Sequence, residues 1–369
     1  MSDEKIKDEM PQNFLFDFSE QTEARRFLWQ SYVSNRISSA YLFTGQSGVG
    51  KFVMAMEFIK FLKCPNRTDG TYCGECNSCR TITNWNNPDI LILFPMPSTV
   101  WERENLLQQA YEDFRNSPYM RPAFSKSTQI LLNMIRDVQH FLATPSTLSG
   151  GKFVIDADAH KMNKQAANAF LKTLEEPPQD AHIILTTDRA ESLLPTILSR
   201  TQILRFRRMS TAQIVQNLVQ KHNFSPELAE RAAKVSEGSV AAALQFVSAD
   251  FSEIRDNALG IFKCAADGDL VSLWEWANSA PSNSDYLVNI LKIIHSLARD
   301  TSAYLSGAEI LNSDSEKIIS SAAGKLKTFE NCLELMHNIQ NLRSDSFHNP
   351  QYKLIYGAIV SALENSFGE

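Results

Sequence analysis

The sequence predicts an α/β phosphate-loop domain bearing a cysteine knuckle, followed by a small helical lid and an all-α C-terminal domain. Three observations lead there. A short apolar run, Tyr41-Leu-Phe-Thr44, ends in the glycine-rich turn Gly45-Gln-Ser-Gly-Val-Gly-Lys51. Four of the six cysteines, Cys64, Cys73, Cys76 and Cys79, cluster soon after that turn. Short β-type runs then alternate with helical segments as far as Arg208 and stop, and the remaining chain keeps helical periodicity. Alternation of this kind marks a parallel sheet with crossover helices.

Each element follows from its own pattern. Beyond the turn, Phe52 to Lys63 places Val53, Met56, Phe58, Ile59 and Leu62 at helical spacing, completing the strand-turn-helix order of a phosphate loop. Ile90 to Phe94, Phe153 to Ile155 and Ile183 to Thr187 are the further strand candidates. Residues 99–126, with Trp101, Tyr111, Phe114 and Tyr119, read as a partly helical insertion. Ala166 to Glu176 is rich in good helix formers, with Asn163 to cap it and Pro177-Pro178 to end it. Ser210 can cap a helix over Thr211 to His222, and a second runs from Pro226 toward Gly238, together a lid. Amphipathic stretches around 287–305, 318–342 and 352–363 form the C-terminal domain.

A chain of 369 residues is long for one core, and the expected division is 1–208, with the cysteine module inserted at 64–79, then 209–248 and 249–369. The formal net charge of -6 supplies no overall positive field, so any nucleic-acid contact must come from a local patch. The opening residues mix charges, and no later stretch approaches the ~18 consecutive apolar residues of a membrane span. A soluble, cytoplasmic protein without membrane contact is expected.

In a phosphate loop, glycines let consecutive backbone N–H groups turn inward around phosphate oxygens, and a lysine adds a point charge. Gly45, Gly48, Gly50 and Lys51 supply those parts. The following residue is normally a hydroxyl that ligates magnesium, and Phe52 has no lone pair to offer. The acidic strand end shows a second departure: Phe153-Val-Ile-Asp156-Ala157-Asp158 has alanine where an adjacent carboxylate belongs. Side chains alternate along a strand, so Asp158 does not simply replace it, and Asp156 alone keeps its place. Turnover by this chain is not expected. Weak ATP or ADP binding and a turn that binds nothing stay open as two readings.

The cysteines fit tetrahedral zinc. Cys73-x-x-Cys76-x-x-Cys79 closes a tight knuckle, and Cys64 at the end of the preceding helix reaches in as the fourth thiolate. A close-spaced iron-sulfur run wants a further cysteine shortly after the third, and Thr83 stands there. Four thiolates leave no open coordination position, so the metal's role is structural. Cys264 and Cys332 stand alone and read as buried fillers.

Taken in order, Asn35-Arg-Ile-Ser-Ser-Ala through Lys51, the four cysteines, Asn87-Pro-Asp89, Ile135-Arg-Asp137, Ala166-Ala-Asn-Ala-Phe-Leu-Lys-Thr-Leu-Glu-Glu-Pro-Pro178 and Ile197-Leu-Ser-Arg200 follow the landmarks of clamp loader subunits. The chain resembles the AAA+ clamp loader family of bacterial DNA polymerase III, of the delta-prime type. The likeness is strong over about residues 18–244 and weaker beyond, where Arg299-Asp300 and Phe347-His-Asn-Pro350 are faint echoes.

The resemblance implies a AAA+ domain, a lid and an all-α collar that oligomerises. It implies that Arg200 is an arginine finger acting in trans on ATP held by a gamma/tau-type ATPase subunit, with Thr201 where the family usually has cysteine. Thr187 falls at the family's first sensor. The second-sensor arginine is missing, since the chain reads Gly238-Ser-Val-Ala241. Implied partners are gamma/tau and delta subunits, the sliding clamp and primer-template DNA in the assembled complex. Two rival functions differ in their demands: an active gamma/tau-type ATPase requires turnover despite Phe52 and Ala157. A zinc-dependent DNA-binding module requires Lys63, Arg67 and Arg80 to meet phosphates directly.

Overall fold

A computed structural model of the chain describes residues 9–15, 18–68, 70–124, 126–345 and 351–368. The charged residues 1–8 and the run 347–350 lie outside the described residues. The chain divides into two compact units, one of residues 1–210 with 238–241 and the other of 211–237 with 242–369.

The first unit is built on a five-stranded parallel sheet. In chain order its elements are α1 (Thr22–Val33), β1 (Ala40–Thr44), α2 (Lys51–Lys63), α3 (Asn77–Thr83), β2 (Ile90–Leu93), α4 (Ser98–Trp101), α5 (Glu104–Asn116), α6 (Leu132–Ala143), β3 (Lys152–Ala157), α7 (Lys164–Glu175), β4 (Ala181–Thr187), α8 (Pro195–Leu198) and β5 (Gln202–Arg205). The strands lie in the order β2-β3-β4-β1-β5. β1 is therefore an interior strand, paired with β4 on one side and the edge strand β5 on the other, while β2, its successor in sequence, is at the far edge. Such a switch in strand order opens a crevice at the carboxyl ends of the strands, where the phosphate loop lies.

Burial explains why these runs are strands. All six residues of β3 are buried, as are six of the seven in β4, which is the near-continuous apolar pattern of strands covered on both faces. β5 is different. Three of its four residues are exposed at the sheet edge, so its pattern carries little strand signal. The cap expected at Asn163 is present: its side-chain Oδ1 accepts the N–H of Ala166 at 2.8 Å.

The second unit is all helical: α9 (Thr211–His222), α10 (Pro226–Val235), most of α11 (Val240–Phe246), α12 (Ala249–Asp267), α13 (Leu270–Ser279), α14 (Ser284–Leu305), α15 (Glu316–Leu326), α16 (Phe329–Asp345) and α17 (Tyr352–Phe367). Its core gathers around Leu287, Ile290, Leu291, Ile294 and Leu297 of α14. The helix expected over 318–342 is two helices, because Lys327 takes a left-handed φ of 60° and interrupts it. The two helices expected as a lid stand within this unit, tied to it by Arg231 with Asp314 (2.8 Å) and Lys234 with Glu309 (3.1 Å). Among the described residues, no helix is long and apolar enough to cross a membrane.

Candidate functional site

The phosphate loop has the expected backbone. Gly45, Gly48 and Gly50 all have positive φ, and Gly50 with a φ of 89° leads into α2. Its cradle is filled from within the same unit. The N–H of Val240 donates to the carbonyl of Gly48 at 2.9 Å, and a Cβ on Gly48 would stand 2.3 Å from Ser239 Oγ and 2.5 Å from Ala241 Cβ. Lys51 turns back on its own loop and donates to the carbonyls of Gly45 and Gln46, both at 2.7 Å. Burial pushes this lysine down to about 8, Arg121 adding to the effect while Asp158 and Asp188 oppose it. A phosphate arriving here meets an ammonium already bound to two carbonyls and a loop already packed.

Phe52 is occupied too. Its ring packs on Phe114 of α5 (centroids 4.5 Å apart) and Trp85 (5.3 Å), and Phe114 in turn meets Phe94 at 4.9 Å. The insertion thus supplies the partner that makes a phenyl ring at this position profitable: Phe52 and Phe114 are both buried, and ring pairs of this kind are worth about 0.5–1.5 kcal/mol beyond their burial.

Between this cluster and the acidic strand end lies Arg121. Its guanidinium is 4.6 Å from the centroid of Phe114 and 5.7 Å from that of Phe52. Its Nε is 2.9 Å from Asp158 Oδ2, and Nη2 donates to Oδ1 at 3.2 Å. The alternation of β3 does not govern Asp158, because the strand ends at Ala157 and Asp158 is left-handed with a φ of 74°. This carboxylate is thus paired with a cation of the protein itself.

Asp156 is fully buried, and neither carboxylate oxygen has a hydrogen-bond partner. Burial first, then the nearby Asp158 charge, push its pKa well above the ordinary carboxylate range against the pull of Arg121. An acid whose folded pKa is raised loses its proton on unfolding. Stability therefore falls as pH rises from the unfolded value near ~3.9 toward the folded one, by up to about 1.4 kcal/mol per pH unit. Asp156→Asn is expected to flatten this slope and to raise Tm at neutral pH. Denaturant titrations of both proteins from about pH 5 to about pH 8 check it, and parallel curves would assign the slope to another group.

At the end of β4, Thr187 is buried and its hydroxyl is engaged by the N–H of Arg189 (3.0 Å) and by His160 Nδ1 (3.1 Å). His160 also lies 3.3 Å from Asp188, and burial lowers its pKa although Asp188 and Asp158 oppose the shift. Lys51, Asp156, Asp158 and Thr187 thus do converge on one crevice. Arg121 and His160, which help complete it, belong to no phosphate-loop motif and nothing in their local sequence marks them, while the 239–241 segment is legible in the sequence only as a second sensor lacking its arginine.

The four cysteine Sγ atoms lie within 4.8 Å of one another. Cys64 to Cys73 is 3.5 Å and Cys64 to Cys76 is 4.0 Å, which bracket the ~3.8 Å edge of a tetrahedron built on ~2.3 Å zinc-thiolate bonds. Backbone N–H groups point at the sulfurs, from Cys73 to Cys64 (3.3 Å), Cys76 to Cys73 (3.4 Å) and Cys79 to Cys76 (3.4 Å). Donors of this kind stabilise thiolates and orient them toward a metal. Lys63 and Arg67, candidates for phosphate contact, are instead turned inward. Lys63 is buried on Asp89, and Arg67 donates to Tyr32 Oη and to the carbonyls of Leu62 and Cys64.

Arg200 stands apart from this crevice. It follows α8 and is paired with Glu175 of α7, Nη2 to Oε1 at 2.6 Å, while Nη1 donates to the carbonyl of Thr196 at 3.0 Å. A third of its side chain is open to solvent.

A family model described as DNA polymerase III, delta subunit matches residues 20–210. The chain is 27% identical over 244 residues to DNA polymerase III subunit delta' of Bacillus subtilis, covering 66% of this chain and 64% of that one. It is 26% identical over 310 residues to DNA polymerase III subunit tau/gamma of Haemophilus influenzae, covering 83% and 38%. The chain thus spans less than two thirds of the length of both relatives. A solved DNA polymerase III, gamma subunit-related protein of Thermotoga maritima is 18% identical with a TM-score of 0.40, over 92% of this chain and 99% of that one.

Proposed function

The chain belongs to the DNA polymerase III, delta subunit family, and from that membership we propose that it is a delta-prime-type clamp loader subunit that hydrolyses little or no ATP itself. In this reading it works in the cytoplasm beside tau/gamma-type ATPase subunits and a delta subunit, and lends Arg200 to ATP held by a neighbour. The assembly places the sliding clamp on primer-template DNA.

One observation carries the non-hydrolysing part: the phosphate cradle is filled by Val240, Ser239 and the chain's own Lys51. Restoring one metal ligand does not empty it. The isolated chain, with or without magnesium, and its Phe52→Thr variant are therefore both expected to show no saturable binding of a fluorescent ATP analogue. Saturable binding with steady turnover by the isolated chain would favour the active gamma/tau-type reading instead.

The cysteine cluster is assigned a structural zinc ion. It closes a loop between two buried ends, Cys64 at the end of α2 and Cys79 in α3. Zinc supplies four bonds there and no reactive position. The purified chain is expected to carry about one zinc ion, and Cys76→Ser to lose it and melt at lower temperature. Metal analysis alongside a thermal melt decides this, and a metal-free chain with an unchanged melt would remove the assignment.

A further inference from the structure

Glu175 is on the wrong end of its helix. It is the last residue of α7, with Glu176 following as the C-cap, so two adjacent carboxylates face the end of a helix whose dipole favours cations. Helix stability does not explain them. Nor does the ion pair with Arg200, since both side chains are substantially exposed, 33% for Arg200 and 46% for Glu175, and pairs of that kind add little to stability. Residues that break a local preference without a gain in stability mark functional constraint.

The geometry of the pair gives the constraint a meaning. Arg200 is a long side chain with many rotamers, yet three contacts fix it: Glu175 Oε1 at 2.6 Å, the carbonyl of Thr196 at 3.0 Å and Ser199 Oγ at 3.3 Å. Nη1 makes both hydrogen bonds and Nη2 the ion pair, and the group remains partly open to solvent. A guanidinium held this way reaches a neighbour's phosphoryl group with its ordering already done. We propose that Glu175 is a positioning residue that pre-organises Arg200 for its action in trans, an inference that rests on the role proposed above for that arginine.

The test is ATP turnover of the complex reconstituted with its tau/gamma-type, delta-type and clamp partners on primed DNA, for Glu175→Gln, Glu175→Asp, Arg200→Ala and the Glu175→Gln/Arg200→Ala double variant. Glu175→Gln is expected to lower kcat about three- to tenfold with KM for ATP and assembly unchanged, the loss expected when an exposed ion pair no longer orders one side chain. Glu175→Asp recovers part of that loss. In the Arg200→Ala background the Glu175→Gln change adds nothing, because two residues acting as one unit are not additive. An unchanged or raised kcat for Glu175→Gln, or full additivity in the double variant, overturns the positioning role while leaving the finger standing. If Arg200→Ala itself leaves turnover intact in a complete complex, the finger reading fails and the positioning role falls with it.

Discussion

Arg200→Ala is expected to lower hydrolysis at the neighbouring subunit's ATP site by about a thousandfold while the complex still assembles. An arginine supplied across an interface neutralises charge that develops on the transferred phosphoryl group, and in other phosphoryl-transfer systems it is worth about 10³–10⁵ in rate. The effect falls on kcat, because the charge it meets is larger in the transition state than in bound ATP. Arg200→Lys should recover only part of the loss. A lysine keeps the charge but offers a point donor in place of a planar fork, and its ammonium cannot hold Glu175, Thr196 and a phosphoryl oxygen in one plane. Single-turnover hydrolysis with the reconstituted complex, paired with a sizing measurement of assembly, separates this from a folding defect. Wild-type rates at every site in an intact Arg200→Ala complex would leave the chain a scaffold with no part in the chemistry.

The elements whose signal is local are legible in the sequence. β1, β2, β3 and β4 are short apolar runs and lie where their runs predict, and Asn163 caps α7 through a contact three residues away. The cysteine cluster is legible for the same reason, since three of its cysteines sit at fixed spacing and the fourth follows the end of the helix before them. β5 is not, because an edge strand with Gln202, Ile203 and Arg205 exposed shows neither alternation nor an apolar run.

What the sequence hides is long-range. Phe52 reads as a missing magnesium ligand, and its positive reason for being aromatic lies in Phe114, far along the chain in an insertion with no motif of its own. The loss of the second-sensor arginine at Gly238-Ser-Val-Ala241 reads as an absence, whereas the same residues fill the phosphate loop through Val240 and Ser239. Arg121 stands in the run Tyr119-Met-Arg-Pro-Ala123 and Glu175 beside Glu176 at a helix end, and neither sequence context names its partner. Only the fold brings each to the group it serves. Two of the three sequence departures from an ATPase, Phe52 and the 239–241 segment, therefore share one physical outcome, a site that is packed instead of merely stripped of ligands.

Lys63→Ala is expected to destabilise the first unit by about 3–5 kcal/mol, the cost of leaving one member of a buried ion pair unmatched. Lys63 and Asp89 both have fully buried side chains, with Nζ 3.1 Å from Oδ2. All three ammonium donors and both carboxylate oxygens are engaged. Lys63 also donates to the carbonyls of Gly151 (2.7 Å) and Ser149 (3.2 Å), and Asp89 accepts the N–H groups of Thr147 (2.6 Å) and Leu148 (2.7 Å). Burial opposes the charge on Asp89, but those two N–H groups and the Lys63 ammonium outweigh it and hold its pKa below the usual carboxylate range. Burial also lowers Lys63, with Asp89 opposing the shift.

Two consequences distinguish this pair from an ordinary salt bridge. Exchanging both residues for apolar ones, as in Lys63→Met/Asp89→Leu, removes the unmatched charge yet takes away the acceptor of the part-buried Thr147 and Leu148 N–H groups. The double variant should therefore recover part of the loss and stay below wild type. Acid separates the mechanisms further. Because the folded pKa of Asp89 is depressed, its contribution is present above the unfolded value of ~3.9 and is lost as pH falls through the folded one. The gap between wild type and Lys63→Met should accordingly shrink below about pH 4, where a protonated Asp89 no longer needs its partner. Urea titrations of the three proteins at neutral and acidic pH measure both effects. A gap that stays constant with pH would mean that Lys63 stabilises this unit by packing its stem, and that the charge on Asp89 is answered by the Thr147 and Leu148 N–H groups alone.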